Sequence, residues 1–229
     1  MQGLRKWLRE TPVTSGLIII NVAVFVWMLI AFGLTGTSMS STFSAQALFS
    51  AGARYTPAIV DGQWWRLVAP MFIHMSFFHI GMNMVVLYFL GNQIEALFGH
   101  IRTLLIYLVS GVTGNIWSAV FLPKQLSAGA STAIFGLFGA FIMLGLVYRT
   151  NPYVRQMARQ FIILVVLNLV LDVFAAGIDL WGHVGGLLGG FAIALLLGMP
   201  KQRGSFAWYW RALGGLCLLG TVSLLGLIY

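Results

Sequence analysis

The sequence predicts an all-α polytopic membrane protein, and three observations carry that prediction. Hydrophobic residues make up 59% of the 229 and charged residues only 8%, with 17 Phe and 8 Trp, which leaves too little polar surface to cover a soluble globule. The apolar residues fall into seven runs of membrane-crossing length, separated by polar links. The basic residues are thinly spread and lie mostly in those links, so the net charge of +8 reads as membrane topology and not as a nucleic-acid site. Cys217, the single cysteine, sits inside an apolar run; it allows no intramolecular disulfide and no cysteine metal cluster, and reads as a packed or lipid-facing residue.

Arg5, Lys6 and Arg9 precede the first run, residues 13 to 34, which is longer than a signal-peptide core and is followed by no small-x-small cleavage site. It predicts an uncleaved first membrane helix. Residues 35 to 71 are polar and broken but close on Trp64, Trp65 and Arg66, and predict a long interfacial loop with aromatic anchors. The remaining runs predict helices over residues 78 to 98, 101 to 122, 131 to 148, 161 to 178, 182 to 199 and 211 to 229. Their links are residues 99 to 100, 123 to 130, 149 to 160, 179 to 181 and 200 to 210, and no inverted internal repeat is visible. With the N-terminus cytoplasmic, Arg5, Lys6, Arg9, Arg102, Arg149, Arg155, Arg159, Lys201, Arg203 and Arg211 lie inside, and Arg54, Arg66 and Lys124 outside. Ten against three is a positive-inside bias, and seven spans put the C-terminus outside.

A polar residue within a membrane helix is costly and therefore a candidate for function. In this topology the second, fourth and sixth spans all start at the outer face. His79 and Asn83 open the second, Ser131 the fourth and His183 the sixth, so four groups able to perform acyl transfer share one layer. Ser131, in Gly129-Ala130-Ser131-Thr132, has two readings: a helix cap, or a nucleophile beside the unpaired N–H groups of a helix start. His79 and Asn83 are four apart and share a helix face. Gly182, Gly186 and Gly190 form one small-residue stripe on the sixth span, and Gly185 and Gly189 another, which would let the fourth and sixth helices approach closely.

Chemically, His183 would take the proton of Ser131 and return it to a leaving amine, while Asn83, His79 and the Ser131 backbone N–H would donate to an oxyanion. Asp179, four residues before His183, is either a third member of the set or a solvated interfacial carboxylate. Asp172, in the fifth span, is either near the outer interface or paired. His74, His79 and His183 could instead bind a metal, but acidic or cysteine co-ligands and a helical His-Glu-x-x-His pattern are missing, so no metal is assigned. A proton relay would spread such residues along a path across the bilayer, whereas these cluster at one side.

These residues resemble the rhomboid family of intramembrane serine proteases. The matching pieces are Trp65-Arg66 in the first loop, His74, His79 and Asn83 entering the second span, Glu95 near its far end, Gly129-x-Ser131, and His183, Gly186 and Gly190. They occur in the family's order and cover most of the chain. The resemblance implies a six-helix core with a seventh helix added at the C-terminus: residues 1–199 as core, 200–229 as linker and added helix. It implies a Ser-His dyad, with Ser131 as nucleophile, His183 as general base, His79 and Asn83 as oxyanion donors, and Phe135 packed beneath the imidazole where the alternative is a lipid-facing Phe. Trp65, Arg66, His74 and Glu95 would be structural, Arg66 holding the first loop and Glu95 the cytoplasmic end of the second helix. Trp181 is a candidate gate over the dyad or a plain interfacial Trp. Three positions depart from the family: Thr132 stands where many members have Gly, Phe135 where Tyr is frequent, and Gly182 where Ala is common.

The function implied is cleavage of membrane-anchored, mostly single-span proteins in or beside their transmembrane segment near the outer face, without cofactor or ATP. The other partner expected is membrane lipid; no nucleic acid is expected. The alternative is an inactive rhomboid-like protein that binds membrane clients, whose signature would be loss of Ser131 or His183. The compact form suggests a prokaryotic plasma membrane.

Overall fold

The computed structural model describes residues 2–36, 41–148, 152–174, 177–198 and 207–228. Among these, seven helices of 16 or more residues form the bundle: α2 (Pro12–Phe32), α5 (Phe77–Phe98), α6 (His100–Phe121), α7 (Ser131–Val147), α8 (Pro152–Phe174), α9 (Leu180–Leu197) and α10 (Trp208–Ser223). The short helix α1 (Gln2–Glu10) precedes them, and α3 (Ala45–Ala51) and α4 (Thr56–Val60) lie in the first long loop. Five of the long helices, α2, α6, α8, α9 and α10, are long and apolar enough to cross a membrane, and α7 is a shorter apolar helix. α5 is as long but is diluted by His79, Asn83, Asn92, Gln93 and Glu95. Arg149, Lys201 and Arg203, expected on the inner side, and Met199, expected to close the sixth span, lie outside the described residues.

The first long loop holds, besides α3 and α4, 3-10 turns at Trp64–Leu67 and Ala69–Phe72, and one expected helix boundary moves. The fifth helix starts at Pro152, well before residue 161, and ends at Phe174. Hydropathy sees only the apolar part of that helix, whereas its opening Pro suits a first helical turn and Arg155, Gln156 and Arg159 are good helix formers.

Helix starts follow from local chemistry. Ser44, Ser76 and Asp179 cap α3, α5 and α9 with side-chain oxygens that accept from Ala47, His79 and Gly182 N–H. α2 has Thr11 at the capping position without a side-chain cap. Its first turn is served instead from α5: the buried Glu95 carboxylate accepts from Val13 N at 2.9 Å, Thr14 N at 2.8 Å and Thr14 Oγ1 at 2.6 Å, and lies 2.6 Å from His100 Nδ1. An anion on the unpaired N–H groups of a helix start is favourable both as hydrogen bonding and against the helix dipole.

At the centre, α9 sits against α7 on one side and α6 on the other, and glycine makes both approaches possible. A Cβ at Gly186 would lie 2.9 Å from the Thr132 carbonyl carbon, and one at Gly190 would strike the Gly136 carbonyl, so these positions bring α9 onto the backbone of α7. Gly185 faces Trp117 and Gly189 faces Thr113, both on α6. Between membrane helices, where hydrophobic burial gains little, such backbone approach supplies the packing. By contrast α8 and α10 are mostly lipid-type surface, with only 17% and 6% of their apolar windows buried. α10 meets the bundle through Gly214, which abuts Ala192, Leu195 and Leu196 of α9.

Candidate active site

α5, α7 and α9 begin at one end of the bundle, and α8 ends there. Their ends enclose a cavity of about 520 Å³ lined by His79, Asn83, Ser131, Asp172 and His183 among mostly apolar neighbours. The four groups expected at one depth thus border one space.

Ser131 is the first residue of α7, and its Oγ lies 2.8 Å from Nε2 of His183 on the first turn of α9. The imidazole is stacked on Phe135, with ring centroids 4.2 Å apart and planes 8° from parallel. Phe135 is four residues after Ser131 and so stands on the same face of α7, one turn deeper. The other ring nitrogen, Nδ1, lies 2.6 Å from Asp172 Oδ2 on α8.

The loop before Ser131 is fixed from three sides. Arg54 and Ser127 exchange backbone hydrogen bonds as an isolated antiparallel bridge, Gly129 N donates to Pro70 O at 2.9 Å, and Ala130 N approaches His74 Nε2 at 3.4 Å. Gly129 has φ +145°, and a Cβ there would lie 2.7 Å from His79 Cε1, so this position excludes side chains on two counts. His74, buried in the segment before α5, meets His79 edge to face at 5.2 Å. Burial, with His79 nearby, pushes His74 down to about 3, which keeps it neutral and able to accept. His79 and Asn83 stand one turn apart, and Asn83 Nδ2 donates to His79 O at 2.9 Å, leaving its second amide hydrogen for the cavity.

Thr132, the departure that placed bulk beside Ser131, packs its side chain toward α6 and α9. It is buried, its Cβ and Cγ2 fill the space left by Gly114 of α6 and Gly182 of α9, and its backbone carbonyl meets Gly186. Gly182, another departure, is therefore part of the pocket that receives Thr132.

Two expectations are corrected. Asp179 is neither the orienter of His183 nor a solvated carboxylate. It is buried, caps α9 through Gly182 N, accepts from Ser118 and Ser127, and lies 3.7 Å from Arg54. Arg54, with no exposed surface, also donates to Leu122 O at 2.7 Å; burial pulls its guanidinium below the ordinary value, and Asp179 opposes that pull. Counting Arg54 as an outside loop charge concealed this cluster, and spacing offered no signal for it. Trp181 does not cover the dyad: it stacks on Phe121 of α6 at 4.3 Å and 22°. Two residues along a helix turn a side chain by about 200°, so Trp181 and His183 face opposite ways.

The remaining residues brace the scaffold. Arg66 is buried, donates to Phe49 O at 2.9 Å and Ala53 O at 2.7 Å, and lies 4.1 Å over the Phe49 ring, which closes the first loop on itself. Trp65 beside it is exposed. Glu95 joins α5 to α2 as described, and Gly186 and Gly190 seat α9 on α7.

A family model described as "Rhomboid domain" matches residues 61–200. The chain is 37% identical over 180 residues to "Rhomboid protease GluP" of Bacillus subtilis, covering 79% of this chain and 34% of that protein. It is 32% identical over 150 residues to "Putative rhomboid protease YdcA" of the same organism (65% of this chain, 75% of the relative). It is 35% identical over 182 residues to "Rhomboid-like protease 1" of Toxoplasma gondii (77% and 61%). The chain spans about a third of the length of the first of these.

Proposed function

The chain belongs to the rhomboid family, and on that premise we propose that it is an intramembrane serine endopeptidase working through Ser131 and His183. It is an integral membrane protein of a protease family. One observation carries it: the 2.8 Å contact between Ser131 Oγ and His183 Nε2, with the imidazole held on Phe135 at the wall of a cavity.

In the reaction the Ser131 O–H bond breaks as its proton passes to His183 Nε2, and Oγ bonds to the carbonyl carbon of a substrate peptide. The carbonyl oxygen takes up the π electrons and is stabilised by the N–H groups at the start of α7, by Asn83 and by His79. His183 then gives its proton to the departing amine. Water repeats the sequence on the acyl-enzyme, releasing the acid and restoring Ser131. A peptide must unwind locally to reach this site, so a single-span protein cut near a helix-breaking position is the substrate class proposed. With the N-terminus cytoplasmic the site lies toward the outer face, and residues 1–199 form the protease core with 200–229 as linker and seventh span.

The test is cleavage of a single-span substrate by the purified protein in liposomes, beside Ser131→Ala and His183→Ala. Wild type is expected to cut and both variants to be silent. If wild type binds the substrate without cutting it, the chain is a client-binding member and not a protease; if either variant cuts at the wild-type rate, the Ser131–His183 dyad is wrong.

A further inference from the structure

Arg54 and Asp179 form a buried charged pair that the proposed reaction leaves without a part. Arg54 has no exposed surface, Asp179 is buried at the start of α9, and their side chains lie 3.7 Å apart. Both charges have had to leave water, so such a pair gains little stability over apolar side chains of the same volume, and what it holds in place matters more than how tightly it binds.

It holds the two approaches to the site. Ser127 stands four residues before Ser131, and Asp179 four before His183. Arg54 N donates to Ser127 O at 2.8 Å and Ser127 N to Arg54 O at 3.1 Å, while the Ser127 hydroxyl donates to Asp179 Oδ2 at 2.5 Å. Asp179 in turn accepts from Gly182 N at 2.8 Å through Oδ1 and from His183 N at 3.1 Å through its carbonyl. The guanidinium seats this set on the end of α6, donating to Ser118 Oγ at 2.5 Å and Leu122 O at 2.7 Å, and Ser118 Oγ donates to Asp179.

We propose that Arg54, Asp179 and Ser127 are positioning residues of the Ser131–His183 dyad, a clamp on α6 that fixes the serine's loop against the start of the histidine's helix. This rests on the protease reading above, and it gives none of the three a proton to carry. The glycine contacts of α9 limit how near α7 and α9 can come, but steric contact alone leaves two helices able to slide along each other. Hydrogen bonds to a charged group weaken steeply with distance and angle, so the clamp removes that sliding. A slip of an ångström would part Ser131 Oγ from His183 Nε2 with the helices still in contact.

The experiment compares Arg54→Met/Asp179→Ser and Ser127→Ala with wild type, Ser131→Ala and Glu95→Ala on the same single-span substrate, as kcat and KM per folded molecule, the folded fraction being taken from a denaturant titration. Serine at position 179 still caps α9 but is too short to reach Ser127, and the paired change leaves no buried charge alone. The paired variant is expected to lose about 10- to 100-fold in kcat with KM within about twofold. Ser127→Ala keeps the ion pair and the cap and cuts only the side-chain tie to the serine's loop; about a 3- to 30-fold loss is expected. Labelling of Ser131 by a small fluorophosphonate, which loses fluoride to Oγ and needs no helix to unwind, should slow in parallel. Glu95→Ala loses a buried carboxylate at the far end of α5 and should cut at the wild-type rate per folded molecule, as any purely structural change would.

A paired variant with more than about a third of wild-type kcat, Ser127→Ala within about twofold of wild type, or labelling at the wild-type rate would overturn the proposal while Ser131→Ala remained silent. If the paired variant does not fold, Ser127→Ala decides on the same criteria. Cleavage by Ser131→Ala would instead overturn the protease reading itself.

Discussion

Substituting Gly186 by alanine probes the feature on which the Ser131–His183 distance depends. The new Cβ would stand 2.9 Å from the Thr132 carbonyl carbon and nearer still to its oxygen. Carbon atoms in contact need about 3.5 Å, so α7 and α9 must part by at least about 0.6 Å, and by more to clear the oxygen. Thr132 adjoins Ser131, and Gly186 lies three residues from His183, so most of that displacement appears between the reacting groups. A 2.8 Å hydrogen bond lengthened by that amount is close to lost. We expect kcat/KM on a single-span substrate to fall about 10- to 100-fold, following the cost of misplacing reactive groups by up to an ångström. Stability in a denaturant titration in mixed micelles should fall by about 1 to 3 kcal/mol, the range for overpacking. Gly220→Ala, on α10 with nothing within 4 Å of the added carbon, is the matched control; it should keep full activity and gain about 0.4 to 1 kcal/mol. The reasoning is refuted if Gly186→Ala cleaves within about threefold of wild type.

Three further outcomes are expected. Glu95→Ala should cost about 2 to 4 kcal/mol, because Val13 N, Thr14 N and Thr14 Oγ1 lose a charged acceptor in a buried place; single-turnover cleavage by the folded fraction should be unchanged, since Glu95 and His79 lie about 24 Å apart along α5. Thr132→Val should be neutral or stabilising by up to about 1 kcal/mol in the same titration, and should leave cleavage intact, because the buried Thr132 Oγ1 has no hydrogen-bond partner. His74 should make stability depend on pH. Its value of about 3 when folded lies below the ordinary 6.5, so on acidification the unfolded chain takes up the proton first. Its contribution is complete above pH 6.5 and declines toward pH 3 by about 1.4 kcal/mol per pH unit, or about 2 kcal/mol by pH 5. Denaturation of His74→Gln beside wild type from pH 7 to 4.5 should show a shallower decline; parallel curves would remove His74 as the cause.

Much of this molecule can be read in its sequence because a membrane simplifies the reading. Apolar runs must become helices, so the all-helical class and the order of the helices were legible, and comparing the depths of His79, Asn83, Ser131 and His183 needed only the alternation of direction. The glycine stripes were legible too, since each position four residues on returns to the same face. What escaped were features set by the rotation of one helix against another. Nothing in hydropathy says which way Asp172 points on a helix that is apolar all round, and its meeting with His183 depends on how α8 leans on its neighbours. Arg54 looked like a loop charge because burial of a cation depends on partners, here Asp179, Ser118 and Leu122, that lie more than sixty residues away. Trp181 was legible after all: its spacing from His183 already places it on the opposite face.

The packing of α9 has a consequence for how such a protein can diversify. Glycine faces backbone or bulky side chains at five positions on two sides of this helix, so most of its inward surface has no room to vary. New binding preferences must therefore be written elsewhere on the cavity wall, on Met82 and Val86 of α5 and Asn168 of α8, which line the cavity outside the buried core. Libraries confined to those three sites would alter what the cavity accepts while leaving Ile134 and Phe138, which pack in the core beside Phe135, in place.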